Sequence, residues 1–244
     1  ASIGLQAIKK TAGLVETEIN INDIVFKIGP RINAAGRIEN GLKAVELMIC
    51  EKEETAYDLA LAINTCNDHR KNLDQGIFSE AVQFIENTPE QRSRKTTVLF
   101  NPNWHKGVIG IVASRLIDYY YRPTIIMTQS NGVINGSART VEGFDLYKAI
   151  DSCSDLLENY GGHMFAAGLT LRPENLDDFT ERFENYVAST ITKEEQTPRI
   201  EIDAEIDLEK IDGKFFRILQ QFQPFGPGNM TPVFLSRGVS DTGY

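Results

Sequence analysis

Four short segments of this sequence gather residues that grip anions. In Gly29-Pro30-Arg31-Ile32-Asn33-Ala34-Ala35-Gly36-Arg37, two arginines stand six apart among small residues. A guanidinium is a planar fork of donors suited to phosphate oxygens, and the small residues leave room for a sugar-phosphate chain to pass. On composition alone, a turn followed by tight helix packing with both arginines solvated explains this segment somewhat better. The second segment, Trp104-His105-Lys106-Gly107-Val108-Ile109-Gly110-Ile111-Val112-Ala113-Ser114-Arg115, places a basic pair just before an apolar helix. Helix N-termini present free amides and partial positive charge, so anion binding and plain core packing weigh about equally here. In Gly136-Ser137-Ala138-Arg139, a hydroxyl and a guanidinium two residues apart share one face of an extended chain. Such an arginine is more often merely solvated. The fourth, Gly161-Gly162-His163-Met164-Phe165-Ala166-Ala167-Gly168, is the most specific: a glycine pair read as ending a helix removes bulk where His163 must reach a ligand. Its bland alternative, a helix C-cap with His163 serving the macrodipole, has about equal weight.

Absent patterns narrow the chemistry. The sequence has no H-E-x-x-H, no G-x-x-x-x-G-K-[ST], no G-x-S-x-G, and no aspartate-histidine run that could hold a divalent cation. Asp68, His69 and Cys66 lack a fourth partner at ligand spacing, and Cys50, Cys66 and Cys153 form neither a disulfide framework nor a zinc pattern. Everything present grips anions, and nothing obviously activates water.

The elements that must position these residues follow from periodicity. The opening, Ala1 to Ile24, starts without methionine on helix-like sequence and reads as an excised piece of a longer protein. Leu42 to Asn87 favours helix almost throughout, and the part after Cys50, as one helix of roughly 50 Å, would bridge two domains. Beyond Lys95 the pattern alternates: strands at 96–100, 123–128, 132–139 and 164–171, and helices at 107–121, 144–160 and 176–191. Thr192 to Pro198 reads as a linker before an edge-type strand with Ile200, Ile202, Ala204 and Ile206 in alternation. The fold class expected is α/β: a helical connector over 1–92, a mixed-sheet domain over 93–193, and a further β unit over 199–244.

At 41% hydrophobic and 24% charged, the 244 residues suit a soluble protein with a real core. No apolar run approaches the roughly 18 residues of a membrane span. No membrane partner and a cytoplasmic location are the expectations. The net charge of -9 speaks against a nucleic-acid partner, because phosphate binding usually leaves a basic footprint. Yet the acids concentrate at 51–54, 174–184 and 194–207, while the glycine-rich segments carry Arg31, Arg37, His105, Lys106, Arg115, Arg139 and His163. A positive cleft on an acidic body is consistent with that distribution.

Taken in order, G-P-R-I-N-A-A-G-R, W-H-K-G-V-I-G-I-V-A-S-R, G-S-A-R and G-G-H-M-F-A-A-G resemble the RecJ exonucleases of the DHH phosphoesterase superfamily, over essentially the whole chain. Asn64 to Lys71 is similar to that family's asparagine-rich stretch, with His69 where glutamate is usual. Phe225-Gly226-Pro227-Gly228-Asn229-Met230-Thr231-Pro232 resembles the start of its oligonucleotide-binding (OB) fold, cut short at Tyr244. The resemblance implies a 5′-to-3′ exonuclease for single-stranded DNA in repair and recombination, monomeric, with Mn2+ or Mg2+ held by a DHH domain before residue 1 and none in this fragment. It implies that domain 93–193 is the DHH-associated domain and that the fragment alone is inactive. By carry-over, His163 would contact the scissile phosphate. Arg139 and Ser137 would hold a nucleotide phosphate, Arg31, Asn33 and Arg37 would line the cleft, and His105, Gly161 and Gly162 would join the phosphate-binding set. Two other readings stay open: a DHH-family phosphodiesterase for short oligonucleotides or cyclic dinucleotides, and a stand-alone nucleic-acid-binding module.

Overall fold

The computed structural model describes residues 2–15, 18–240 and 243. The expectations drawn from Ala1 and from Tyr244 lie outside the described residues. Helix α1 (Ile3–Thr11) starts on Ser2, whose hydroxyl accepts the Leu5 amide. The short α2 (Ile21–Asp23) runs through a π-helical turn, Ile24–Ile28, into α3 (Gly29–Ile38). The whole G-P-R-I-N-A-A-G-R segment is therefore helical and continuous with the π-helical turn, the Gly29 amide donating to the Ile24 carbonyl. Helices α4 (Leu42–Ile49) and α5 (Glu53–Asn87) complete this part, with Ile8, Ala35, Leu47, Ala56, Ala60 and Ile63 in its core. Alanines dominate the contact because backbones approach closely: a Cβ on Gly4 would lie 1.8 Å from the Leu47 carbonyl oxygen. The 35 residues of α5 serve two cores, since its later residues Ile77, Ala81 and Ile85 pack against a different partner, described next.

After α6 (Pro89–Ser93) the chain builds β1 (Thr97–Phe100), α7 (Ile109–Tyr120), β2 (Thr124–Ser130), β3 (Val133–Arg139), α8 (Leu146–Asp151), β4 (Leu157–His163), β5 (Ala166–Leu171) and α9 (Leu176–Thr190). The sheet order is β1-β2-β3-β5-β4, with β1 parallel to β2 and every other pair antiparallel. This is the mixed α/β fold expected. Asn131 and Gly132, both at positive φ, form the two-residue turn joining β2 to β3. One sheet face buries Ile125, Met127, Ile134, Ala138 and Leu169 under Phe179 and Phe183 of α9. The opposite face buries Leu99 and Ile126 under Val112, Ala113 and Leu116 of α7, and under α5. Helix α7 packs mainly on β2 and β3, and farther along this second face Gly168 of β5 and Asn159 and Gly161 of β4 are exposed.

Two expectations fail. The helix read over 144–160 ends at Asp151, and Leu157–His163 is strand β4. Leu156, Leu157 and Tyr160 are spaced as a helix would space them, but all three pack onto the sheet core while the backbone pairs with β5. Gly161 and Gly162 therefore sit inside a hairpin and do not cap a helix. The alternating strand at 200–206 shrinks to β6 (Ala204–Glu205), paired with β7 (Phe234–Leu235) around α10 (Gly213–Gln220). Ile200 and Ile202 remain 78% and 48% exposed, so no layer faces them to fix a longer strand.

Candidate phosphate-binding cleft

Strand β3 alternates strictly: Ile134, Gly136 and Ala138 are buried, while Asn135, Ser137 and Arg139 are half-buried on the other face. Antiparallel partners share a face, so the register extends these residues into three cross-strand rows. Asn135 lies opposite Thr170 and then Asn159; Ser137 opposite Gly168 and then Gly161; Arg139 opposite Ala166 and then His163. The middle row is a strip of bare backbone with one hydroxyl at its end. Along the third row only the Ala166 methyl stands between Arg139 and His163, whose Cα atoms are about 9.6 Å apart by strand spacing.

Above these rows opens a cavity of about 670 Å³, bounded on its other side by Arg37, Lys106, Gly107 and the first turn of α7. Two glycines allow the walls to close in. A Cβ on Gly107 would lie 2.1 Å from the Arg37 carbonyl oxygen; one on Gly110 would lie 2.8 Å from Ser137 Oγ and 3.1 Å from Arg139 Nη2. Arg37 donates to the Gly107 carbonyl at 3.2 Å, fixing the end of α3 against the turn before α7. The electropositive N-terminal end of α7, at Ile109 and Gly110, opens onto the same space.

The electrostatics are one-sided. Arg37, Lys106 and Arg139 line the cavity and no carboxylate does. Arg139 donates to Ser137 Oγ at 3.1 Å and to the Ala138 carbonyl at 2.8 Å, and it has no ion-pair partner among the described residues. Burial, and then the charge of Arg37, hold its guanidinium below the usual arginine range. Arginine stays protonated regardless, so the folded chain carries two uncompensated, mutually repelling cations. An anion between them would relieve both the repulsion and the lost hydration.

His163 occupies the exposed tip of the β4–β5 hairpin, where its Nδ1 accepts the Phe165 amide at 3.2 Å. The neutral ring then carries its proton on Nε2, which is left as a donor. Gly162 makes this tip: at φ 153° a Cβ would lie 2.2 Å from the Ala166 carbonyl oxygen. Gly161, by contrast, has open space above it and lines the cavity.

Of the residues singled out in the sequence, Arg37, Ser137, Arg139 and Gly161 line the cavity, and His163 ends the adjoining row. Arg31 is engaged elsewhere, donating to Asn64 Oδ1 at 2.9 Å and to the Lys27 carbonyl at 2.7 Å. Asn33 is exposed on α3, and His105 accepts the Gly107 amide through Nδ1; neither lines the cavity. Arg115 lies outside it too, 3.0 Å from Asp74 and over the Phe78 ring at 4.1 Å, and so ties α7 to α5. Lys106, from the basic pair read before α7, lines it as well, and lining residues to which the sequence reading gave no role include Asn135, Asn159, Tyr160 and Thr170. Asn135 was findable, being two residues before Ser137 on the same strand face; the others enter through tertiary pairing. Among the described residues no group of three His, Cys, Asp or Glu side chains could hold a metal ion.

Comparison with known proteins agrees with this architecture. The DHHA1 domain model matches residues 93–189 and the RecJ OB domain model residues 202–243. The single-stranded-DNA-specific exonuclease RecJ of Bacillus subtilis is 34% identical over 235 residues, covering 96% of this chain and 30% of the relative. That of Haemophilus influenzae is 32% identical over 239 residues, covering 95% and 42%. The chain thus spans well under half the length of these curated relatives. The crystal structure of RecJ from Thermus thermophilus in complex with Mg2+ superimposes with a TM-score of 0.84 at 29% identity, over 96% of this chain and 36% of that one. By domain content, sequence and fold, the chain carries a DHHA1 domain and a RecJ OB domain and matches RecJ along nearly its whole length.

Proposed function

We propose that this chain is the strand-gripping part of a single-strand-specific DNA exonuclease acting 5′ to 3′ in repair and recombination, in the cytoplasm, as a monomer. The observation that carries the reading is Arg139: half-buried, beside Arg37, without a carboxylate, and one row along the sheet from the bare strip of Gly168 and Gly161. Those groups suit a phosphodiester better than a neutral ligand, and a bare backbone strip suits a chain that slides. Arg37, Arg139, Ser137 and the start of α7 hold a phosphate; Nε2 of His163 donates to a phosphoryl oxygen at the hairpin tip. The RecJ OB match after residue 202 favours an extended strand over a cyclic dinucleotide.

Hydrolysis needs a nucleophile, and the described residues offer no metal-ligand set to generate one. The Mg2+ or Mn2+ bound in the solved RecJ structures therefore has no site among them. On this reading, chemistry belongs to a DHH domain outside the 244 residues, and the chain alone binds single strands without cutting them. The test is the full-length enzyme with Arg139→Ala, expected to lose on the order of 10²-fold in kcat/KM on single strands, as for one charge-stabilising donor. Unchanged rates would overturn the role of the cleft. Chelator-sensitive turnover by the 244-residue chain alone would overturn the division of labour.

A further inference from the structure

The cavity extends beyond the arginines. One row along the sheet from Ser137 lies Asn135, whose side-chain oxygen accepts from Lys106 Nζ at 2.7 Å. Thr170 and Asn159 continue that row across β5 and β4, and all four residues line the cavity. An exposed lysine is ordinarily free in solvent or paired with a carboxylate. Lys106 is instead held by a neutral amide, with no ion-pair partner among the described residues, so its position is fixed while its charge stays uncompensated. An ammonium has three donors, and only one is used here. The rows of Ser137 and Asn135 are separated by about 6.8 Å of strand rise, a spacing comparable to that of consecutive phosphates in an extended single strand.

We propose that Lys106, oriented by Asn135 and flanked by Thr170, is a second phosphate subsite that takes the phosphate next to the one held by Arg37, Arg139 and Ser137. The inference rests on the reading of the cleft as a strand-gripping site and extends it: the ligand class becomes a chain with at least two consecutive phosphates. A mononucleotide fills the first subsite alone. Lys106 is then a length sensor, and Asn135 its positioning residue.

The experiment measures binding by the 244-residue chain, in chelator to prevent cutting, to thymidine monophosphate and to an oligothymidylate strand across roughly 50 to 200 mM salt. Lys106→Ala is expected to weaken the strand five- to tenfold, to flatten its salt slope by about 0.7 unit, and to leave the mononucleotide within twofold. Lys106→Arg is expected to restore strand binding, and Arg139→Ala to weaken both ligands. Unchanged strand affinity and salt slope in Lys106→Ala, with Arg139→Ala still defective, would overturn the second subsite alone. Equal loss of mononucleotide and strand in Lys106→Ala would also overturn it, placing Lys106 in the first subsite. Failure of Arg139→Ala to weaken either ligand, or absence of strand binding by the unaltered chain, would overturn the cleft itself.

Discussion

Adjacent glycines in the β4–β5 hairpin should respond oppositely to the same added methyl. At Gly162 a Cβ would meet the Ala166 carbonyl oxygen at 2.2 Å and Ala167 Cα at 2.6 Å, at φ 153°. Both obstacles are backbone and cannot swing aside, so the hairpin must open. Backbone strain of this type costs about 1 to 3 kcal/mol, and the clash places Gly162→Ala at the upper end. At 2 to 4 °C per kcal/mol for a chain of this size, that is a melting-temperature drop of about 6 to 12 °C. At Gly161 nothing lies within 4 Å, so Gly161→Ala should stay within about 0.5 kcal/mol of the unaltered stability. Its methyl, however, rises from the bare strip beside Ser137, where the strand is read to pass. A loss of about 1 kcal/mol, roughly fivefold in single-strand affinity, is expected. Calorimetric melting and fluorescence-anisotropy titration of both variants separate the effects. Equal melting of Gly162→Ala and the unaltered chain would refute the hairpin geometry; unaltered strand affinity in Gly161→Ala would refute passage of the ligand over that floor.

Asp74→Asn should cost about 1 to 2 kcal/mol in urea unfolding, between the values for exposed and fully buried ion pairs, because it leaves Arg115 between α5 and α7 without its carboxylate. Strand binding should not change, since Arg115 does not line the cavity. Burial, and then the Glu86 carboxylate that accepts its hydroxyl, push Tyr120 up from 10.0 to about 12, so one phenol should titrate late in an ultraviolet absorbance titration. A raised folded-state value favours the protonated form: this contribution to stability is complete below pH 10 and is lost as pH rises through about 12, and Tyr120→Phe should remove that dependence.

What could be read in the sequence was local. The long α5 and the shared face of Ser137 and Arg139 follow from periods of 3.6 and 2. Strand β4 was hidden because Leu156, Leu157 and Tyr160 satisfy helical spacing equally well, and only pairing with β5 decides between the two. With β4 misread, the row that aligns His163 with Arg139 could not be seen. Nor could local pattern tell which arginine of the first segment faces the cleft. Arg31 and Arg37 are six residues apart, about 120° around a helix, and their difference depends on α5 offering Asn64 to one and Gly107 approaching the other.

The chain's net charge of -9 speaks against a polyanionic partner, but such a sum ignores where the charges are paired. Many acids are spent locally: Glu39 on Lys43, Asp74 on Arg115, Glu181 on Arg94, Asp155 on Arg182 and Glu158 on Arg172. Among the described residues, Arg37, Lys106 and Arg139 of the cleft have no such partner. At physiological salt, charges more than about 8 Å apart are largely screened, so phosphates in the cavity would respond to whichever of Arg37, Arg139 and Lys106 stands beside them and hardly at all to distant carboxylates. On the proposed reading the acidic body works in favour of selectivity, because a strand would be repelled over most of the surface and held at one groove. Which charges lack partners, and where, decides the interaction; their total does not.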